Sequence, residues 1–117
     1  MNKPKSIGKM VNNDKVQELS NHEFDNFIKK GTVLIDFFAE WCMPCIVMAP
    51  IIEEISDAFK GKIKVGKVNV GDNPKIAEKF NVSSIPNFTV FKDGKPVKQF
   101  IGSMSEEELE SRLKSFL

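Results

Sequence analysis

No apolar run in this chain approaches the ~20 consecutive residues that a membrane-spanning helix needs, so the sequence offers no candidate span. It also lacks a surplus of either charge: seventeen basic residues against sixteen acidic ones leave a formal net charge of +1. That balance argues against a nucleic-acid or anionic-membrane partner. Cysteine is scarce. Two cysteines, three positions apart, cannot staple distant parts of a secreted disulfide scaffold. There is one histidine, His22, and no tyrosine. The first fourteen residues, Met1 to Asp14, carry Lys3, Lys5 and Lys9 with no apolar segment behind them, so a secretory signal is not expected. With the cysteine usage, this points to the cytoplasm.

What is present suits one globular domain. The chain has 117 residues, 41% hydrophobic and 28% charged, with no repeat or low-complexity tract. Residues 1–14 read as a polar extension and 15–117 as the domain. Val16 to Leu19 can form a short strand, and Asn21 is positioned to cap a helix through Lys30 that ends at Gly31, with Phe24, Phe27 and Ile28 on one face. Val33 to Ala39 (VLIDFFA) is an almost continuous apolar run, the pattern of a strand covered on both faces. A helix follows to Phe59, with Met48, Ile51, Ile52 and Ile55 at helical spacing and Glu53, Glu54 and Asp57 on the polar side. Pro50 lies inside it and predicts a kink.

Lys62 to Val70 alternates as a strand does, with Ile63, Val65 and Val68 or Val70 inward; Asn73-Pro74 opens a short helix to Phe80. Pro86–Phe91 and Pro96–Ile101 flank Asp93-Gly94, a hairpin signal. Ser105 with Glu108 predicts a capping box for a last helix bearing Leu109, Leu113, Phe116 and Leu117. The order β-α-β-α-β-α-β-β-α implies an α/β fold with a central mixed sheet between helices. The phenylalanines Phe24, Phe27, Phe37, Phe59 and Phe88 fall at core spacings, and His22 reads as a surface residue.

The pair Cys42-Met43-Pro44-Cys45 admits three readings: a redox couple, half of a zinc site, or coincidence. A structural zinc site takes four Cys or His ligands. This chain offers three, one of them far off in the first helix, so no metal is expected without carboxylates or a second chain. The setting favours redox chemistry. Where a buried strand runs into a helix, the unpaired N–H groups and positive end of the dipole stabilise a thiolate over a thiol. Thiolate is the attacking species in disulfide exchange, which makes Cys42 the nucleophile. Cys45, one turn further in and expected to be more buried than an exposed Cys42, can reach back to resolve a mixed disulfide. Pro44 suits the first turn. Asp36 is costly to bury within VLIDFFA and must stay protonated, find a partner, or face water at a bulge.

The segment FFAEWCMPC, with an acid six residues before the first cysteine, resembles the active-site segment of the thioredoxin family. The likeness continues through Lys67, Asn73-Pro74, Ser84-Ile85-Pro86, Asp93-Gly94 and Gly102, covering residues 15–117. It implies a thioredoxin-like three-layer sandwich and a protein-disulfide reductase with no bound cofactor beyond the Cys42–Cys45 couple. It further implies that Asp36 carries protons to and from Cys45, that Lys67 tunes Asp36, and that a cis Ile85–Pro86 bond faces the cysteines. Trp41, Met43, Ile85, Pro86 and Gly102 would then meet the substrate. The implied partners are disulfide-containing proteins and a thioredoxin reductase-type electron donor, with the chain acting as a monomer.

Departures from the family pattern are Met43 for glycine, Phe38 for tryptophan, Ile46 for lysine, Ser84 for glycine and Gly71 for an acid. Met43 bears on the redox poise and on the surface a reductase meets. Two further readings stay open at this point. One is a disulfide isomerase or oxidase on the same fold, the other a binding subunit that uses the fold as a docking platform.

Overall fold

The apolar run after Thr32 becomes the central strand because it can bury side chains on both of its faces at once. In the computed structural model, which describes residues 16–117, Val33, Leu34, Ile35 and Phe37 are fully buried. The polar extension expected over 1–14 lies outside the described residues. The elements are β1 (Gln17–Glu18), α1 (Asn21–Ile28), β2 (Thr32–Phe38), α2 (Met43–Ala58), β3 (Lys64–Asn69), α3 (Pro74–Lys79), β4 (Asn87–Lys92), β5 (Lys95–Ile101) and α4 (Glu106–Lys114). Their order is the predicted one. The sheet runs β1-β3-β2-β4-β5, with β3 parallel to β1 and β2, and with β4 antiparallel to β2 and β5.

Alternation along β2 divides the core. Leu34 joins Met48, Ile52 and Ile55 of α2 with Leu109 and Leu113 of α4 on one face. Val33, Ile35 and Phe37 join Phe24 and Ile28 of α1 with Ile76 of α3 on the other. Helices thus cover both faces, giving the three layers. Each such large side chain withdrawn from water contributes roughly 1.5–3 kcal/mol, and the second face adds a phenylalanine cluster. Phe80 lies 5.6 Å from Phe24 and 5.1 Å from Phe91, centroid to centroid, the latter edge-on.

Two glycines carry structural weight. A methyl group on Gly66, in β3 beside Ile35, would stand 2.9 Å from Leu19 Cδ1 and from Phe27 Cε2, so any larger residue there forces these side chains to shift. Asp93 and Gly94 both take positive φ (48° and 88°), as the tight turn between β4 and β5 requires.

Several local expectations are corrected. The first helix is capped by Ser20, not Asn21, and ends at Ile28 rather than Lys30. Glu23 closes its first turn by accepting from both the Ser20 backbone N–H and the Ser20 hydroxyl. Ser105 does cap α4, its hydroxyl accepting the Glu108 N–H at 3.1 Å. The Glu108 carboxylate, however, turns to Arg112 at 2.6 Å, one turn on, because that ion pair lies on its own helix face. Leu117 is exposed, past the last turn of α4, while Leu109 and Leu113 are buried as expected. Helix α2 runs through Pro50.

Candidate active site

At the end of β2 the chain turns through Ala39, Glu40 and Trp41 and enters α2 with Cys42 as its N-cap. A cap normally supplies a side-chain oxygen to the first orphan N–H groups. Here a sulfur does so: the Cys45 N–H donates to Cys42 Sγ at 3.2 Å. The Cys42 N–H donates to Ala39 O at 3.2 Å, and the Ile46 N–H to Cys42 O at 3.1 Å, so the sulfur is held by the turn on both sides. Pro44 occupies the first turn, where its missing N–H costs nothing. Cys42 and Cys45 are joined as a disulfide with their Cα atoms 5.2 Å apart. Both are buried, at 5% and 4% exposure, which corrects the expectation of an exposed Cys42 above a deeper Cys45. In the disulfide the two sulfurs share one pocket of packing with Ala39, flanked by Phe38, Val70 and Ile85.

Beneath them lies Asp36. Its strand position is set by register: Asp36 of β2 stands directly beside Lys67 of β3, and residues paired in this way point to the same face. The carboxyl is buried and no donor reaches its Oδ1 among the described residues. Burial pushes its pKa from the ordinary 3.8 up to about 7, against the opposing pull of the Lys67 ammonium. Lys67 itself is half-buried, its Nζ 5.7 Å from the centre of the Phe38 ring. Asp36, Lys67 and Cys45 line one cavity of about 270 Å³, together with Val16, Glu40 and Ile46. The alternative that Asp36 faces water at a bulge does not hold. A carboxyl that exchanges a proton near neutrality therefore shares a cavity with the second cysteine.

On the other flank the Ile85–Pro86 peptide bond is cis. Pro86 is buried, Ile85 is half-buried against the cysteines, and the Gly102 N–H donates to Pro86 O at 2.9 Å. No backbone hydrogen bond engages Ile85 among the described residues. Trp41 and Met43 stand out into solvent, at 76% and 66% exposure. The structure thus brings Asp36 and Lys67 to one cavity with Cys45 and packs Ile85 on the cysteine cluster. Pro86 and Gly102 join through the cis peptide and their own hydrogen bond, and Trp41 and Met43 flank Cys42 in the chain.

Sequence reasoning passed over Glu40 and Val70, which touch the cavity and the cysteine cluster. It also passed over Val47, exposed on α2; a count of helical angles from Cys45, Met48 and Ile52 finds that position off the core face. Among the described residues no group of three or more His, Cys, Asp or Glu could hold a metal ion, and no helix is long and apolar enough to cross a membrane.

Comparison with known proteins gives one answer. The family model described as Thioredoxin matches residues 15–115. The chain is 47% identical over 85 residues to the thioredoxin of Alicyclobacillus acidocaldarius subsp. acidocaldarius, covering 73% of this chain and 81% of that protein. It is 45% identical over 94 residues to the thioredoxin of Chlamydia caviae, covering 80% and 91%. To that of Staphylococcus saprophyticus it is 42% identical over 94 residues, covering 80% and 90%.

Proposed function

Because this chain belongs to the thioredoxin family, and so is a thiol–disulfide oxidoreductase acting on protein disulfides, we propose that it works as a reductant in which Cys42 attacks and Cys45 resolves. The observation that carries the reading is the shared cavity of Cys45 and Asp36, beside a Cys42 sulfur that already accepts a helix N–H. That donor and the helix dipole favour thiolate at Cys42 once the pair is reduced.

The steps follow from the arrangement. The Cys42 thiolate attacks one sulfur of the substrate disulfide, forming a mixed disulfide and expelling the other sulfur as a thiolate, which takes a proton from water. Asp36, as the carboxylate, accepts the proton of the Cys45 thiol. The Cys45 thiolate then attacks Cys42 Sγ, the Cys42–Cys45 disulfide closes, and the second substrate sulfur leaves as a thiolate that takes up a proton as Asp36 returns its own to solvent. Two electrons have passed to the substrate. An external reductase returns two electrons and two protons to restore the dithiol. Lys67 acts at one remove, favouring the Asp36 carboxylate by its charge.

Substrate docks on Trp41, Met43, Ile85, Pro86 and Gly102. The unengaged Ile85 backbone can pair with an extended segment whatever its side chains are, which suits a reductant of many proteins. Paired thiols of this kind work where a reductase keeps them reduced, so we place the chain in the cytoplasm as a monomer.

The test is reduction of insulin disulfides with dithiothreitol as electron source. Wild type is expected to accelerate it; Cys42→Ser abolishes the acceleration, and Cys45→Ser traps a mixed disulfide visible by mass spectrometry. Direction is read from the reduction potential of the pair. A value near about −270 mV fits a reductant, and one at about −180 mV or above overturns that direction in favour of an isomerase or oxidase.

A further inference from the structure

Seven large apolar side chains are conspicuously exposed among the described residues, and four of them, Trp41, Met43, Ile46 and Val47, fall within one stretch of seven. Single exposed apolar residues are ordinary on a protein surface; a contiguous group marks an interaction site. Helix α2 turns Cys45, Met48, Ile52 and Ile55 into the core. At about 100° per residue, Met43, Ile46, Val47 and Pro50 lie together on the opposite side. Ile46 is 51% and Val47 59% exposed, and Pro50 is exposed as well.

No charged residue interrupts the chain from Trp41 to Pro50, and the charges that border it, Glu40 before and Glu53 and Glu54 after, are all acidic. Glu54 lies two turns beyond Val47, on the same face. Pro50 has no N–H, so the Ile46 carbonyl on this face lacks its ordinary helical donor.

We propose that this face of α2, continuous with Trp41, is a docking strip for the folded electron donor that returns the dithiol, and that the donor presents an apolar ridge bordered by basic side chains. The proposal rests on the thiol–disulfide reading above. Past its first turn a helix has its backbone groups engaged internally, so Ile46, Val47 and Pro50 can be recognised only through side chains and the one Ile46 carbonyl. Such recognition along Ile46, Val47 and Pro50 needs a preformed surface, which a folded protein has; an extended substrate segment shares only the Trp41–Met43 end of the strip. The Ile85 flank, with an unengaged backbone, suits the extended segment. The acidic borders select a basic rim, whose arginines or lysines can also donate to the Ile46 carbonyl. Ile46 lines the Asp36 cavity too, so a partner seated here reaches its rim.

Val47 and Glu54 test the strip, since neither lines that cavity. The variant Val47→Lys/Glu54→Lys is assayed with a purified NADPH-dependent thioredoxin reductase that turns over the wild-type chain. Expected are a KM for the chain raised about tenfold or more, a kcat within about twofold, and a wild-type kcat/KM that falls with added salt. Reduction of the small disulfide 5,5′-dithiobis(2-nitrobenzoate) by the reduced variant stays at the wild-type rate, and Val47→Leu retains the wild-type KM. An unchanged KM overturns the strip. A parallel loss against the small disulfide also overturns it, because the residues would then shape the cysteines rather than dock a partner. A loss in insulin reduction with the reductase step untouched overturns the choice of partner. Failure of the oxidoreductase reading itself looks different: the wild-type dithiol would reduce neither insulin nor the small disulfide.

Discussion

Replacing Asp36 by asparagine should make the folded protein more stable, by an amount that grows with pH. The carboxyl is buried, its Oδ1 meets no donor among the described residues, and its pKa rises from 3.8 to about 7. Between those values the folded protein keeps a proton that the unfolded chain has released. The unfolded state then binds fewer protons, so stability falls as pH rises. The stability tied to this proton is fully present below about pH 4 and is lost as pH climbs through about 7. Each tenfold difference in ionisation constant is worth about 1.4 kcal/mol, so the whole gap is worth a little over about 4 kcal/mol.

Asparagine fills nearly the same volume and cannot ionise. Urea denaturation of the oxidised forms should therefore show a variant-minus-wild-type difference that is about 4 kcal/mol larger at about pH 8 than at about pH 4. A difference that stays flat across that range refutes the reasoning, since the carboxyl would then ionise alike in both states. The same substitution removes the proton acceptor proposed for Cys45, so release of the mixed disulfide should slow and lose its dependence on a group titrating near neutrality.

Two more perturbations probe neighbouring features. Lys67→Met removes the charge that holds the Asp36 pKa down; the carboxyl, followed by carbon-13 NMR, should titrate above about 7, and an unmoved titration would mean that the two groups are not coupled. Gly66→Ala sets a methyl 2.9 Å from Leu19 and Phe27 and should cost about 1–3 kcal/mol in denaturant unfolding, with the disulfide-exchange rate unaffected; a neutral result would show that α1 shifts freely on the sheet.

Much of this protein is decided within a few residues of chain. The period of VLIDFFA against that of the helix after Cys45 is a local property, and so is a C-x-x-C pair at a strand-to-helix junction. The Asp93-Gly94 turn and the Ser105 cap are equally local, because backbone φ and the nearest N–H groups determine them. The family resemblance was carried by such segments. Even local reading missed where neighbours compete: Ser20 rather than Asn21 caps α1, since Glu23 can answer from the first turn, and Glu108 prefers Arg112 to its own cap.

The site is another matter. Asp36 is thirty-one positions from Lys67, and Ile85 is forty from Cys45. Nothing local brings either pair together. The register of β2 on β3 does so for the first, because a slip of one residue would turn every buried side chain of β2 to the wrong face. The parallel β2–β3 and antiparallel β2–β4 pairings bring the ends of three strands around the head of α2, where Cys45 shares a cavity with Asp36 and Ile85 of the cis peptide packs on the cysteine cluster. The depth of both sulfurs, the shared cavity and the titration of Asp36 near neutrality are consequences of that packing. They depend on which surfaces lose water together, and that is a property of the folded molecule alone.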